Sequence, residues 1–450
     1  IINMERGQER NANFEVVPTN VLSNGAISYK NGIPEIKFQI GEQDRYLIGT
    51  SLRVVGKFTI FYDSARNLPT NASVILMSNK LGVLSTFEGL HIQSQRTKQS
   101  IEKIDHYNRM LSSYTPFTTD VNDGINFMNN QALALPNFEA QRLGVINNVA
   151  GSGTKNNFAV GLQSGLLSSL EPIPLSSTWG TGGLEITIQL APDSNVLFTN
   201  GSDSSAIGDA FYEFSDVKLI GETIIPADTM LNTLRSQKST TLEYNSISTY
   251  YNTINSTNGV VSLNLGLSKV NSIFGNIIPS GRLNNRSFDG METSPFLNDD
   301  GSVAKIKQLV FTRNGERFPL EYNIDTLAKD DTTLGDNNTA RIDTEIIENG
   351  ISAISRAFGN LKHSLITPAN TNLVSEVGNN GYKTNVDGGQ AYIIGINYSA
   401  ISDVGVDFSN ALFGINMELQ LETDNPNTLF LFVHSTNILA ISGGSVAIEN

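Results

Sequence analysis

Cysteine is missing from the 450 residues of this chain. Its absence removes disulfides, thiol nucleophiles, thiolate zinc sites and iron–sulfur ligation together. A chain of this size without such staples holds together by core burial and partner contacts. Histidine is almost as scarce. His91, His106, His363 and His434 stand far apart, no pair has metal-binding spacing, and no His-Glu-x-x-His occurs. Each is read as a surface or structural residue.

Charge is thin as well. Asp, Glu, Lys and Arg make up 16% of the chain, against about one quarter in ordinary globular domains. The balance is acidic, 44 acidic against 30 basic residues, for a net of −14. That disfavours broad contact with nucleic-acid phosphates, which needs clustered Lys and Arg. No direct sequence-specific nucleic-acid partner is expected. No apolar run approaches the roughly 20 residues of a membrane span, so a soluble protein is expected. No basic start followed by an apolar stretch reads as a signal peptide, and the opening Ile1-Ile2-Asn3 fits a trimmed or processed form.

What the chain does have is a strand-like segment written twice. One copy is Gly183-Leu-Glu-Ile-Thr-Ile-Gln-Leu-Ala-Pro-Asp193, the other Gly414-Ile-Asn-Met-Glu-Leu-Gln-Leu-Glu-Thr-Asp424. Leu184, Ile186, Ile188 and Leu190 alternate in the first, and Ile415, Met417, Leu419 and Leu421 in the second. A period of two puts each set on one face of a strand. The copies lie about half a chain apart, too far for a solenoid unit of roughly 20–50 residues. The repeating unit is therefore a whole β domain.

Asn-Gly and Asp-Gly pairs, among them Asn24-Gly25, Asn314-Gly315 and Asp387-Gly388, supply the positive φ of tight turns. Between such pairs run β-type segments at 35–40, 52–62, 158–163, 184–190 and 212–220, then at 260–267, 306–313, 317–322, 391–396, 415–421 and 429–434. Arg313-Asn314-Gly315-Glu316 reads as a hairpin. Helical spacing of Ile101, Ile104 and Leu111 predicts a helix over 94–112, and that of Ile347, Ile351, Ile354, Phe358 and Leu361 another over 344–362. Gly350 and Gly359 weaken the second by about 1 kcal/mol each. Many short strands, few helices and a halfway repeat define an all-β chain of two sandwiches. Long inserts at 115–143 and 325–341 exceed ordinary loop lengths and read as functional surface or partner contacts.

Chemical motifs do not assemble. Gly151-Ser-Gly-Thr-Lys155 shares only composition with a phosphate loop. Gly161-Leu-Gln-Ser-Gly165 carries its serine one place late for a nucleophile elbow. Asp330-Asp331 with Asp336-Asn337 offers oxygen ligands of the kind calcium takes, but lacks EF-hand spacing and reads as a solvated loop. Trp179 suits either a sugar-binding surface or an aromatic plug at the end of a sandwich, and the plug is preferred. A glycoside hydrolase needs two carboxylates roughly 5 to 9 Å apart, and the polar faces of the repeated strands offer only Glu185 and Glu418, one in each half. No catalytic, cofactor-binding or metal-binding residue is assigned, and no enzymatic activity is expected.

Ile173-Pro-Leu-Ser-Ser-Thr-Trp-Gly-Thr-Gly-Gly-Leu-Glu-Ile-Thr-Ile-Gln-Leu-Ala191, followed by Phe211-Tyr-Glu-Phe-Ser-Asp-Val-Lys-Leu-Ile-Gly-Glu222, resembles the close of the first barrel in double jelly-roll major capsid proteins. The similarity is greatest to those of polinton-like viruses and virophages. Their pattern there is a Pro-Leu loop, a Gly-Leu-x-Ile/Leu-x-Ile-x-Leu strand, then a Tyr-x-Ile/Phe-x-Asp/Asn-Val-x-Leu strand. Phe311-Thr-Arg-Asn-Gly-Glu-Arg-Phe-Pro319 is similar to a second-barrel segment of the same family.

The resemblance implies two tandem eight-stranded jelly-roll domains with a few short helices in inserts. An N-terminal arm at 1–12, a first jelly roll at 13–226, a connector at 227–237 and a second jelly roll at 238–450 are expected. It also implies a homotrimer forming pseudo-hexagonal capsomers in the icosahedral shell of a double-stranded DNA virus, with penton and minor capsid proteins as further partners. The residues leave open one other class, a secreted or cell-surface carbohydrate-binding β-sandwich of the adhesin or lectin kind. One Trp and 13 Tyr offer such a surface little to build on.

Overall fold

The structure is a computed structural model that describes residues 10–20, 25–67, 75, 77–78, 81–118, 156–198, 207, 209–237, 239–254, 258–287, 289–291, 306–320, 337–359, 393–419, 426–442 and 445–449. In the first half the elements are β1 (Arg10–Val16), β2 (Ala26–Ile27), β3 (Glu35–Ile40), β4 (Tyr46–Phe61), β5 (Phe87–Ser94), β6 (Ser100–Ile104), α1 (Tyr107–Thr118), β7 (Asn156–Gly161), β8 (Ile173–Pro174), β9 (Leu184–Leu190), α2 (Asp193–Val196) and β10 (Phe211–Ile225). Helix α3 (Asp228–Ser236) follows. In the second half come β11 (Ser239–Ile254), β12 (Asn258–Asn264), β13 (Val270–Pro279), β14 (Ile306–Arg313), β15 (Glu316–Arg317), α4 (Asn337–Phe358), β16 (Ile394–Asn397), β17 (Leu412–Leu419), β18 (Asn427–Ser442) and β19 (Ser445–Glu449).

Four antiparallel sheets result. Two are ordered β1-β10-β4-β7 and β3-β9-β5-β6, and two β11-β18-β13-β16 and β12-β17-β14-β15, with β2, β8 and β19 added at their flanks. Leaving those three aside, each half runs first-eighth-third-sixth in one sheet and second-seventh-fourth-fifth in the other. That is the jelly-roll wrapping, made twice in the same order.

The repeated segments occupy the seventh strand of each roll, β9 and β17. Leu184, Ile186, Ile188 and Leu190 are at most 2% exposed, Ile415 is fully buried and Met417 nearly so. The second copy is set three residues earlier than its alternation suggested, at Leu412–Leu419; Leu421 lies outside the described residues. The hairpin forms as read, with Asn314 at φ 53° and Gly315 at φ 83° between paired Arg313 and Glu316.

The helix expected over 94–112 does not form as such. Residues up to Ser94 close β5, a turn with Lys98 at φ 58° follows, and β6 pairs back before α1 begins at Tyr107. Ile101, Glu102 and Ile104 are all under 4% exposed. The three-residue spacing of the isoleucines thus records a strand buried on both faces, which mimics a helical period. The second helix does form. Its last residues before Gly359 match the expected span, and Gly359 at φ 84° donates its N–H to the Ser355 carbonyl to end it. No helix among the described residues is long and apolar enough to cross a membrane.

Candidate functional site and the seam between the rolls

The residues weighed for chemistry are dispersed. Trp179 is 2% exposed and packs with Tyr46, ring centres 5.0 Å apart, and with Leu234 of α3. It is a plug, which removes the aromatic anchor from a sugar-binding surface. Beside it Asp44 is held below the usual carboxylate range, chiefly by hydrogen bonds from Arg235 and Ser176. The Trp179–Leu234 packing and the Arg235–Asp44 bond fasten α3 to the first roll.

Glu185 lies on the outer face of β9. Burial alone would raise its pKa, but hydrogen bonds from Lys98, Gln39 and Gln93 hold it below the ordinary value. It is a cross-strand tie. The side chain of Glu418 lies outside the described residues, as do 151–155, 330–336, His363 and most of the two long inserts. Among the described residues, no cluster of three or more His, Asp or Glu side chains could hold a metal ion.

What the fold does build is a seam. The β6 edge of the first roll runs along β11 of the second without pairing as strands. Tyr244 donates its hydroxyl to the Ile101 carbonyl and Thr249 to the Asp105 carbonyl, each at 2.8 Å. Between them the Glu102 carboxylate accepts the N–H groups of Gly165 at 3.0 Å, Leu166 at 2.9 Å and, from the other roll, Ile247 at 2.9 Å. Burial pushes the Glu102 pKa up, against the pull of those N–H groups and of the Ser164 hydroxyl. Gly165, which closes the Gly161–Gly165 segment, is needed for close approach. A Cβ there would sit 1.6 Å from the Asn245 carbonyl oxygen.

Helix α1 continues the seam. Asn276 of β13 donates to Ser113 at 2.6 Å, and Tyr114 stacks on Phe358 of α4 with ring centres 4.3 Å apart. Arg109 sits 4.8 Å over the Phe430 ring and reaches Asn195 at 3.4 Å. Burial brings its pKa down to about 10, while Glu88 and Asp289 pull the other way. His106 meets Phe430 and Tyr251 edge-on at 4.9 and 5.4 Å. His434 shares a face of β18 with Phe430 and Phe432, its Nδ1 3.3 Å from the Ser272 hydroxyl. Burial, assisted by Arg356, depresses the His434 pKa to about 3.

The seam makes the two rolls unlike on their outer sheets. From Asn427 to Ser435, β18 is buried on both faces, because α1, α4 and the first roll cover its outer side. Among the described residues, nothing of the kind covers the matching face of the first roll. Arg53, Val55, Lys218, Ile220 and Glu222 alternate there with core residues, and Glu15 bridges to Lys218 at 2.6 Å. Among the described residues, this arrangement brings together no set of groups that points to a reaction.

Two same-order jelly rolls fused through a buried seam define the double jelly-roll class. No protein-family model and no curated protein sequence matches the chain. Solved structures do match it. The quasi-atomic model of the PBCV-1 virus capsid superposes with a TM-score of 0.59 at 11% identity, covering 98% of this chain and 97% of that one. For the cryo-EM structure of the Sputnik virophage the values are 0.56 and 13%, over 98% and 89% of the two chains. For the Faustovirus major capsid protein they are 0.56 and 10%, over 96% and 91%. The chain has the fold of double jelly-roll viral major capsid proteins.

Proposed function

We propose that this chain is a viral major capsid protein, a structural subunit of the virion shell. The observation that carries the reading is the pair of identically wound rolls, which follows capsid structures over 96% or more of the chain. In this reading three chains associate into a pseudo-hexagonal capsomer, and capsomers tile an icosahedral shell. Two like rolls per chain give three chains six like corners, and closed cyclic symmetry is the usual outcome for such assemblies. The subunit contact should exceed the standard interface of roughly 1,600 Å², as obligate contacts do. Penton and minor capsid proteins complete the set of partners. The protein acts by occupying space, and catalysis has no part in it. Its acidic balance suits a shell that leaves the genome to other components.

Native mass spectrometry of the purified protein tests this. A species three times the 48.8 kDa chain mass is expected, with hexagonal outlines in negative stain. A stable monomer at micromolar concentration that forms no particles would sink the reading in favour of a monomeric binding module.

A further inference from the structure

The Asn-Gly pairs that punctuate the chain carry a chemistry of their own. The glycine nitrogen can attack the side-chain carbon of the preceding Asn, and with no Cβ on the glycine little blocks its approach. In a folded protein the outcome depends on whether the backbone is free to close the five-membered ring. Four such pairs have both residues among the described ones: Asn31-Gly32, Asn258-Gly259, Asn314-Gly315 and Asn349-Gly350. Those at Asn24, Asn200 and Asn380 lie wholly or partly outside the described residues.

Regular structure holds two of the four. Asn258-Gly259 lies in β12, paired with Glu418 and Met417 of β17, and a Cβ on Gly259 would meet Ile254 at 2.7 Å. Asn349-Gly350 lies inside α4, and Gly350 is pressed against Ile393. The other two pairs sit in turns. Gly32 at φ 74° and Gly315 at φ 83° are both open, with no heavy atom within 4 Å of the place a Cβ would take.

Anchoring separates these last two. Asn314 is tied to a neighbouring strand twice: its Oδ1 accepts the Leu412 N–H at 2.9 Å, and its own N–H donates to the Leu412 carbonyl at 2.9 Å. Asn31 is tied only within its own turn. Its N–H reaches the Ser28 hydroxyl at 3.1 Å and the Ser28 carbonyl at 3.3 Å, and the Gly32 N–H reaches the Tyr29 carbonyl at 3.3 Å. Such lengths are at or past the long end of the N–H···O range. The Asn31 side chain is exposed and has no hydrogen-bond partner among the described residues.

We infer that Asn31 is a site of spontaneous covalent modification, the one of these four pairs that the fold leaves free to convert. The Gly32 nitrogen loses its proton to solvent base and forms a bond to Asn31 Cγ. The bond from Cγ to the side-chain nitrogen breaks, and that nitrogen takes up a proton and leaves as ammonia. Water then opens the succinimide at either carbonyl. One opening gives aspartate in an ordinary chain; the other gives isoaspartate, with an extra carbon in the main chain. Either product adds a negative charge to an exposed turn beside Lys30, whose ammonium reaches the Asp209 carbonyl at 3.2 Å. The converted fraction grows with time since folding, so the turn works as a clock. The inference does not rest on the capsid reading.

The test incubates purified full-length protein at mildly alkaline pH, digests it and follows each pair by peptide mass spectrometry. Enzymatic methylation counts the isoaspartate separately. In the folded protein Asn31 should convert about tenfold or more faster than Asn314, the ratio expected where two hydrogen bonds of ordinary net worth must first be broken. Asn258 and Asn349 should stay intact over the same period. In concentrated urea, with the fold gone, all four should convert at similar rates. A folded protein in which Asn31 converts no faster than Asn314 overturns the inference. A preference for Asn31 that persists undiminished in urea also overturns it, since the fold would then have no part in the selection.

Discussion

Glu102 places a carboxyl where water does not reach and gives it three backbone donors, one of them from the other roll. Removing it leaves those N–H groups without a partner, at about 1–3 kcal/mol each. Glu102→Ala should therefore lower unfolding stability by about 3 kcal/mol or more. Glu102→Gln should cost less, since one oxygen still accepts while the amide NH2 faces a donor. Urea titration of both variants measures the difference, and an unchanged midpoint for Glu102→Ala would show that the tie has no weight. His434 gives a pH signature. Its ordinary value of 6.5 falls to about 3 in the fold, so between those values the unfolded chain binds the proton and the folded chain does not. The neutral ring contributes stability above pH 6.5, and that contribution is lost as pH falls toward 3. The slope is at most about 1.4 kcal/mol per pH unit for one group. His434→Gln should flatten the decline in stability between pH 6.5 and 4. An identical decline in variant and wild type would assign the acid sensitivity to other groups.

Among the elements, β6 and β11 are joined through the loop at Gly165, which binds Glu102 of β6 and approaches Asn245 of β11 as only glycine can. Gly165→Ala should push them apart, so their amide exchange should accelerate together while β9, deep in the first core, keeps its protection. Faster exchange in β6 alone would argue that β11 is held by its own sheet. How far the sequence revealed these elements follows from which faces they bury. β9 and β17 each turn one apolar face to a core and a polar face away from it, so alternation was visible and located the duplication. Along β18 the pattern Leu-Phe-Leu-Phe-Val-His from Leu429 to His434 has no alternation, because both faces are covered. The run read as a strand, but nothing in it told of a second roll behind it. β6 misled for the same reason. β11, with Ser, Thr and Asn at many positions, was not read as a strand at all. Its partner along sixteen residues is β18, and that pairing is a property of the fold rather than of local composition. Gly350, counted against its helix, lies where a Cβ would meet the Ile393 carbonyl oxygen at 2.9 Å. The cost in helix propensity accompanies a close approach to β16. The seam, which is the chief feature of the site, had one sequence signal: a buried-type carboxylate between two isoleucines, Ile101-Glu102-Lys103-Ile104.

At the scale of the molecule, one continuous hydrophobic cluster holds residues of both rolls, from Ile27 to Val446. Two rolls joined by a flexible linker would melt apart. Rolls sharing a core should melt together, so calorimetry of the chain should show one transition with matching calorimetric and van't Hoff enthalpies. Two separated transitions would mean that the seam is weaker than either core. The strand order also fixes a sequence of events in time. β10 lies between β1 and β4, with Arg10 beside Ile225 and Tyr46 beside Ile224. While the chain is being synthesised, the first sheet therefore has a strand-wide vacancy at its centre until residue 225 appears. The second sheet repeats the situation, its vacancy between β11 and β13 filled only by β18, Asn427–Ser442. Pairings so distant in sequence are slow to form, and an unfilled slot is open to a strand from any neighbouring chain. Nascent copies crowded on one messenger thus face their greatest hazard of exchanging strands just before each eighth strand is made.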